Sequence, residues 1–188
     1  MAAIKQAAII GGGVIGAGWI SRLIENGIDV SVYDPAADAA EKVEAVLKNS
    51  RYAYSKLISA PRCTEGSVTF CDSIADAVAS AELIVESVPE RLDIKQTVYA
   101  EIEASAPIYA LIASSTSGIM PSDLQAKMKH PERLLVAHPF NPVYLLPLVE
   151  LVGGKSTTME TIERAREIYH AVGMHPLHVK KEIEAFIA

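Results

Sequence analysis

His138 stands at the end of an apolar run in LVAHPFNPVYLLPLVE (135–150), and Glu150 closes the same stretch twelve residues later. Neither side chain suits a packed core. Imidazole is the one unperturbed side chain that gains and loses a proton between pH 5 and 8, so His138 is a candidate general base. A carboxylate on its far ring nitrogen would orient the ring and stabilise the imidazolium, which is the role read for Glu150. Such a pair suits removal of a proton from an alcohol. Ser117 is the candidate hydrogen-bond partner of the reacting oxygen, with Ser114 and Ser115 competing in the same SSTS run. A serine-hydrolase reading fails, because the chain has no GxSxG elbow. His130, His170, His175 and His178 lie in a loop, a helix and the last strand, and read as structural or surface residues. No His, Cys or carboxylate cluster has metal-ligand spacing, so no metal is expected.

A second group binds rather than reacts. Gly11, Gly12, Gly13, Val14, Ile15 and Gly16 form GxGxxG, after an apolar run and before a helical pattern. Gly11 permits the tight turn, Gly13 lets the backbone approach a pyrophosphate, and Gly16 lets helix and strand pack closely. The helix that follows turns its unpaired N–H groups and positive dipole end toward phosphate. Asp34, eighteen residues after Gly16, can accept hydrogen bonds from adenosine ribose hydroxyls and would repel a 2′-phosphate. Pro35, Ala36 and Ala37 supply no arginine to reverse that. NAD is favoured over NADP, while FAD stays open on this motif alone.

Positioning these groups requires alternating strands and helices. Apolar or alternating runs predict strands at 7–11, 29–34, 67–71, 82–87, 108–115, 134–138, 146–152 and 175–179. Periodicity of 3.6 predicts helices at 14–27, 36–58, 73–79, 91–106, 122–128, 158–173 and, from 181, a helix running to 188. Strands separated by helices pair in parallel with right-handed crossovers, and strands rich in Val, Ile and Leu are covered on both faces. The fold class is α/β, a doubly wound, mostly parallel sheet of Rossmann type. In such sheets ligands sit at the carboxyl ends of the strands. That rim receives Glu86, Ser87 and Glu90 after the fourth strand, Ser114 to Ser117 after the fifth, and His138 and Asn141 after the sixth.

The bulk numbers agree with a globular domain. The chain has 188 residues, half of them hydrophobic, and a formal charge of −6. No basic stripe invites nucleic acid, and no run is long and apolar enough for a membrane span. Cys63 and Cys71 have no metal spacing and form no disulfide framework, which reads as two free thiols in a reducing compartment. The N-terminal apolar stretch is too short for a signal peptide, and a cytoplasmic protein is expected. The chain stops at EAFIA inside an apolar helical pattern. That reads as a dinucleotide domain over 1–182 and the start of a truncated helical domain over 183–188.

GGGVIGAGW, ESVPERLDIK, SSTSGIMPSDL and HPFNPVYLLPLVELV, in this order, resemble the 3-hydroxyacyl-CoA dehydrogenase superfamily. The resemblance covers essentially the whole chain as that family's NAD domain. It implies a catalytic His–Glu pair on His138 and Glu150, an oxygen-contacting serine on Ser117 and a further site residue on Asn141. It implies that Glu90 and Lys95 lie near the nicotinamide ribose and carboxamide. It also implies a C-terminal helical domain, absent here, through which the full-length protein forms a homodimer. The substrate implied is a small 3-hydroxy acid, carnitine ahead of L-gulonate or a 3-hydroxyacyl-CoA. A non-catalytic dinucleotide-binding protein is the reading from another class. Lys48, Arg51 and Lys56, the candidates for coenzyme A phosphates, read as a solvated helix face.

Overall fold

The computed structural model describes residues 4–57 and 64–183. Among these residues eight strands form one sheet: β1 (Gln6–Ile10), β2 (Asp29–Tyr33), β3 (Val68–Phe70), β4 (Leu83–Glu86), β5 (Leu111–Ser114), β6 (Leu134–Pro139), β7 (Leu148–Gly153) and β8 (His175–Val179). Six α-helices accompany them: α1 (Val14–Ile24), α2 (Ala39–Leu57), α3 (Ile74–Val78), α4 (Leu92–Ser105), α5 (Pro121–Gln125) and α6 (Met159–Ala171). The spatial order is β3-β2-β1-β4-β5-β6-β7-β8. The chain therefore reverses its direction of winding between β1 and β4, and the rim beside that reversal is where open α/β sheets bind ligands.

Side-chain parity sorts the core into two layers. Ile9, Val30, Val85, Ala113, Leu135 and Leu151 face α1, α2 and α6. Ala8, Ile10, Ile84, Ile112, Val136 and Val152 face α3, α4 and α5. Strands covered on both faces read as near-continuous apolar runs, as these do.

Every pairing from β3 to β6 is parallel. β7 runs antiparallel to β6, and β8 runs parallel to β7. The reason is local: the link from β6 to β7, residues 140–147, holds no helix to carry a crossover. Its path is pinned instead. Arg22 donates from Nε and Nη2 to the Val143 carbonyl at 3.3 and 3.0 Å, and Tyr54 donates to the Tyr144 carbonyl at 2.6 Å. A Cβ on Gly18 would lie 2.9 Å from Val143, so only a glycine in α1 admits the link this closely.

Two expected elements end differently. The strand predicted at 108–115 begins only at Leu111, because Ala110 N–H donates to the Pro107 carbonyl and closes a turn there. The helix expected from 181 shows no helical turn at 181–183, and its remainder at 184–188 lies outside the described residues, as does Cys63. Cys71 is a free thiol. No helix among the described residues is long and apolar enough to cross a membrane.

Candidate functional site

The glycine loop lies between β1 and α1. Gly11 has φ +100°, a conformation that disfavours side chains, and a Cβ there would lie 2.6 Å from the Ser87 carbonyl oxygen. A Cβ on Gly16 would lie 1.9 Å from the Gly11 carbonyl oxygen, so the helix touches the strand's exit directly. At Gly13 the same construction meets nothing within 4 Å. Gly13 is also the N-cap of α1 and offers no side-chain capping bond. The start of the helix thus has no side-chain cap and open space beside its N-cap, an arrangement that fits a pyrophosphate.

Asp34 follows β2 and is locked in place. Its carboxylate accepts from Gly12 N–H at 2.7 Å and from Ala36 N–H at 2.8 Å. With Gly11, Gly13 and Tyr33 it lines a cleft of about 660 Å³, walled on the far side by Ile74, Ile94 and Val98. Glu101 of α4 also lines it, and this mixture of polar groups and apolar side chains suits a ribose and a purine. A second cleft of about 310 Å³ adjoins the first through the shared residues Ser87 and Val88. Ile15, Glu90, Lys95, Ser115, Ser117, His138 and Pro139 complete it.

His138 and Glu150 are cross-strand partners in the β6–β7 register, so both side chains leave the sheet on one face. His138 Nδ1 lies 2.9 Å from Glu150 Oε2, with the side chains 14% and 1% exposed. A carboxylate only accepts, so the geometry assigns the hydrogen to Nδ1 and leaves Nε2 as the ring's acceptor. The ring of Phe140 lies 6.4 Å from that of His138, centroid to centroid.

The β4 and β5 ends supply the other wall. Glu86 is fully buried, and its carboxylate accepts from Lys95 Nζ at 2.6 Å, Val88 N–H at 2.9 Å, Tyr99 hydroxyl at 2.5 Å and Ser114 hydroxyl at 2.7 Å. Burial, and then the charge of Glu86, push the Tyr99 hydroxyl far above the ordinary tyrosine range, so it stays a neutral donor. Lys95 Nζ also lies 3.4 Å from Glu90 Oε2. Glu90 in turn accepts a short hydrogen bond from the Thr116 hydroxyl and one of 3.1 Å from Ser117 N–H. Partial burial raises the Glu90 pKa, but the Thr116 hydroxyl, the Lys95 ammonium and the Ser117 N–H outweigh it, and the net shift is downward.

The sequence-predicted residues therefore separate. His138, Ser117, Glu90, Lys95 and Ile15 line one cleft, with Glu150 behind His138; Gly11, Gly13 and Asp34 line its neighbour. Ser114 is buried against Glu86, whereas Ser117 is exposed at the cleft, and Ser115 lines the cleft while accepting from Trp19 Nε1 at 3.2 Å. Asn141 is exposed in the turn after β6 and does not line the smaller cleft. Val14 is 67% exposed at the start of α1. Arg51, a candidate for phosphate, is engaged by Glu44 and Glu65. Among the described residues no three metal-type side chains converge. Sequence reasoning placed Glu86 and Ser114 at the rim but missed that they and Tyr99 form one buried network. A lysine and a tyrosine four residues apart on the buried stripe of α4 were the available signal.

A profile described as "3-hydroxyacyl-CoA dehydrogenase, NAD binding domain" matches residues 6–183. An L-carnitine dehydrogenase of Mesorhizobium japonicum is 58% identical over 188 residues, which is all of this chain and 52% of that protein. An L-carnitine dehydrogenase/betainyl-CoA thioesterase of Rhizobium meliloti is 54% identical over 187 residues, 100% of this chain and 38% of that protein. Among solved structures, an NAD+-dependent dismutase named 5-formyl-3-hydroxy-2-methylpyridine 4-carboxylic acid 5-dehydrogenase superposes with a TM-score of 0.91 at 36% identity, over 98% of this chain and 60% of that one. The chain thus spans about half, or less, of the curated relatives named here.

Proposed function

Since the chain belongs to the 3-hydroxyacyl-CoA dehydrogenase family, as its NAD-binding domain, we propose that it is the cofactor half of an NAD-dependent dehydrogenase that oxidises the 3-hydroxyl of L-carnitine to 3-dehydrocarnitine. The glycine loop, the N-terminus of α1 and Asp34 would hold NAD, with Glu90 and Lys95 near its nicotinamide end. When bound, the cofactor supplies the acceptor for the substrate's hydride. The chain's own task is the proton. His138 takes it from the hydroxyl on Nε2, Glu150 holds Nδ1–H and stabilises the imidazolium, and Ser117 hydrogen-bonds the substrate oxygen. Asn141 belongs to the proposal through family resemblance.

The observation that carries this reading is the 2.9 Å contact between His138 and Glu150 at the rim that also bears the glycine loop. The substrate rests on similarity to carnitine-oxidising relatives over the full chain. Phe140 adds to it: a trimethylammonium prefers an aromatic face, a contact worth roughly 0.5–2 kcal/mol, and carnitine carries that group beside the carbon to be oxidised. The proposal includes a cytoplasmic homodimer that joins through a helical domain following residue 182.

The test is a panel of L-carnitine, D-carnitine, L-gulonate and 3-hydroxybutyryl-CoA with NAD, followed by NADH absorbance on the full-length protein. Selective turnover of L-carnitine is expected. Turnover of L-gulonate or the acyl-CoA alone would keep the chemistry and move the substrate. NADH binding with no turnover of any of them would leave a dinucleotide-binding protein.

A further inference from the structure

Lys95 is 1% exposed and lines the cleft that holds His138. A buried ammonium needs a partner, and Glu86 supplies one at 2.6 Å. Glu90 lies on the other side of the same amine at 3.4 Å and lines the same cleft. The three groups together carry one carboxylate in excess. Glu86 is held by Val88 N–H, Tyr99 and Ser114 as well, so it stays where it cancels the lysine. The cleft's other charged element, the His138–Glu150 pair, stands apart from this cluster on β6 and β7.

The nicotinamide ring is cationic when oxidised and neutral when reduced, and hydride exchange next to His138 requires it in this small cleft. We infer that Glu86 is a positioning residue that neutralises Lys95, leaves Glu90 as the excess charge of the cleft wall, and so shifts the balance of affinity toward the oxidised cofactor. This rests on the reading of the clefts as the NAD site. Without Glu86 the lysine would be balanced by Glu90 alone, and the cleft wall would lose the negative charge that faces a cationic ring.

The measurement is the ratio of dissociation constants, NAD+ over NADH, by calorimetry for the first and fluorescence titration for the second, on the full-length protein. Glu86→Gln removes one negative charge and raises the ratio, by roughly fivefold for a charge several ångströms away in a partly wet cleft. Glu90→Gln raises it too. Lys95→Met lowers it, and the double variant Glu86→Gln/Lys95→Met returns it to the parent value. Tyr99→Phe, which removes a hydrogen bond and no charge, leaves it unchanged. The opposite signs at Glu86 and Lys95 separate charge from damage, since a structural defect at either residue would not move the ratio in opposite directions. Should Glu86→Gln fail to fold, the opposite signs at Lys95 and Glu90 decide. Binding of both forms with the same ratio in Lys95→Met and Glu90→Gln would overturn the inference alone. No binding of either form by the parent protein would overturn it together with the reading beneath it.

Discussion

The two ends of the binding rim are built on different principles. At the glycine loop the backbone does the work: Gly11 and Gly16 act through a missing Cβ whose place would collide with the main-chain oxygens of Ser87 and Gly11, and Gly13 leaves open space beside the N-cap of α1. At β6–β7 the side chains do the work, and what places them is strand register. A shift of one residue between β6 and β7 would keep both strands and send His138 and Glu150 to opposite faces. At the first end Gly11 and Gly16 admit no added carbon, whereas the second tolerates no change of direction or register. A glycine loop can be fixed by local sequence, but a histidine–carboxylate pair drawn from two strands depends on the link between them.

The largest effect expected lies at the side-chain end. His138→Ala should lower kcat of the full-length enzyme by roughly 10²–10⁴-fold, the usual contribution of a positioned base, while NADH titration shows retained binding. Near-normal turnover would remove the base. Glu150→Gln should cost no more than that and at least roughly tenfold in kcat, because the amide oxygen can still accept from Nδ1–H while the negative charge that favours imidazolium is gone. Equal, full loss in both variants would mean that Glu150 holds the strand pair together rather than the imidazole, and a lowered melting temperature would show it.

The backbone end splits into two glycines that look alike in sequence. Gly16→Ala puts a carbon 1.9 Å from the Gly11 carbonyl oxygen. It should destabilise the domain by about 3 kcal/mol or more in denaturant titration, as overpacking of a rigid contact does. Gly13→Ala meets nothing within 4 Å, and its φ of −64° suits any residue. It should leave stability unchanged and weaken NADH binding by roughly tenfold or more, since the added methyl occupies the pyrophosphate's approach. If both variants lost stability alone, the loop would be a packing turn and nothing else.

The same contrast explains what the sequence disclosed. The loop, α1 and Asp34 were legible because their chemistry is local: a strand, a turn and a helix within one short stretch. The His138–Glu150 pair was legible as a pair of misplaced polar residues, and the absence of a helical pattern between them is what dictates antiparallel pairing. The buried network was not legible as a unit. Glu86, Lys95, Tyr99 and Ser114 come from β4, α4 and β5. Only the packing of α4 on the sheet joins them. The early start assigned to β5 had a plain cause as well, because Ile108 and Tyr109 are apolar enough to read as strand yet are 63% and 57% exposed in the turn after Pro107.

The smallest effect belongs to a place remote from both ends. Thr158 caps α6, its hydroxyl accepting from Thr161 N–H at 3.2 Å. α6 packs on the face shared with α1 and α2, opposite the layer that meets α4. Thr158→Ala should cost about 1 kcal/mol, the usual value of a lost N-cap, and shift the denaturation midpoint accordingly. NADH affinity and kcat should not move. That outcome would separate the two rim ends from the frame that carries them, because a loss of stability as such would then have no consequence at the site. A drop in affinity would mean instead that the glycine loop is held open by the packing of the whole α1 layer, and the division between a backbone-built end and a side-chain-built end would no longer describe the molecule.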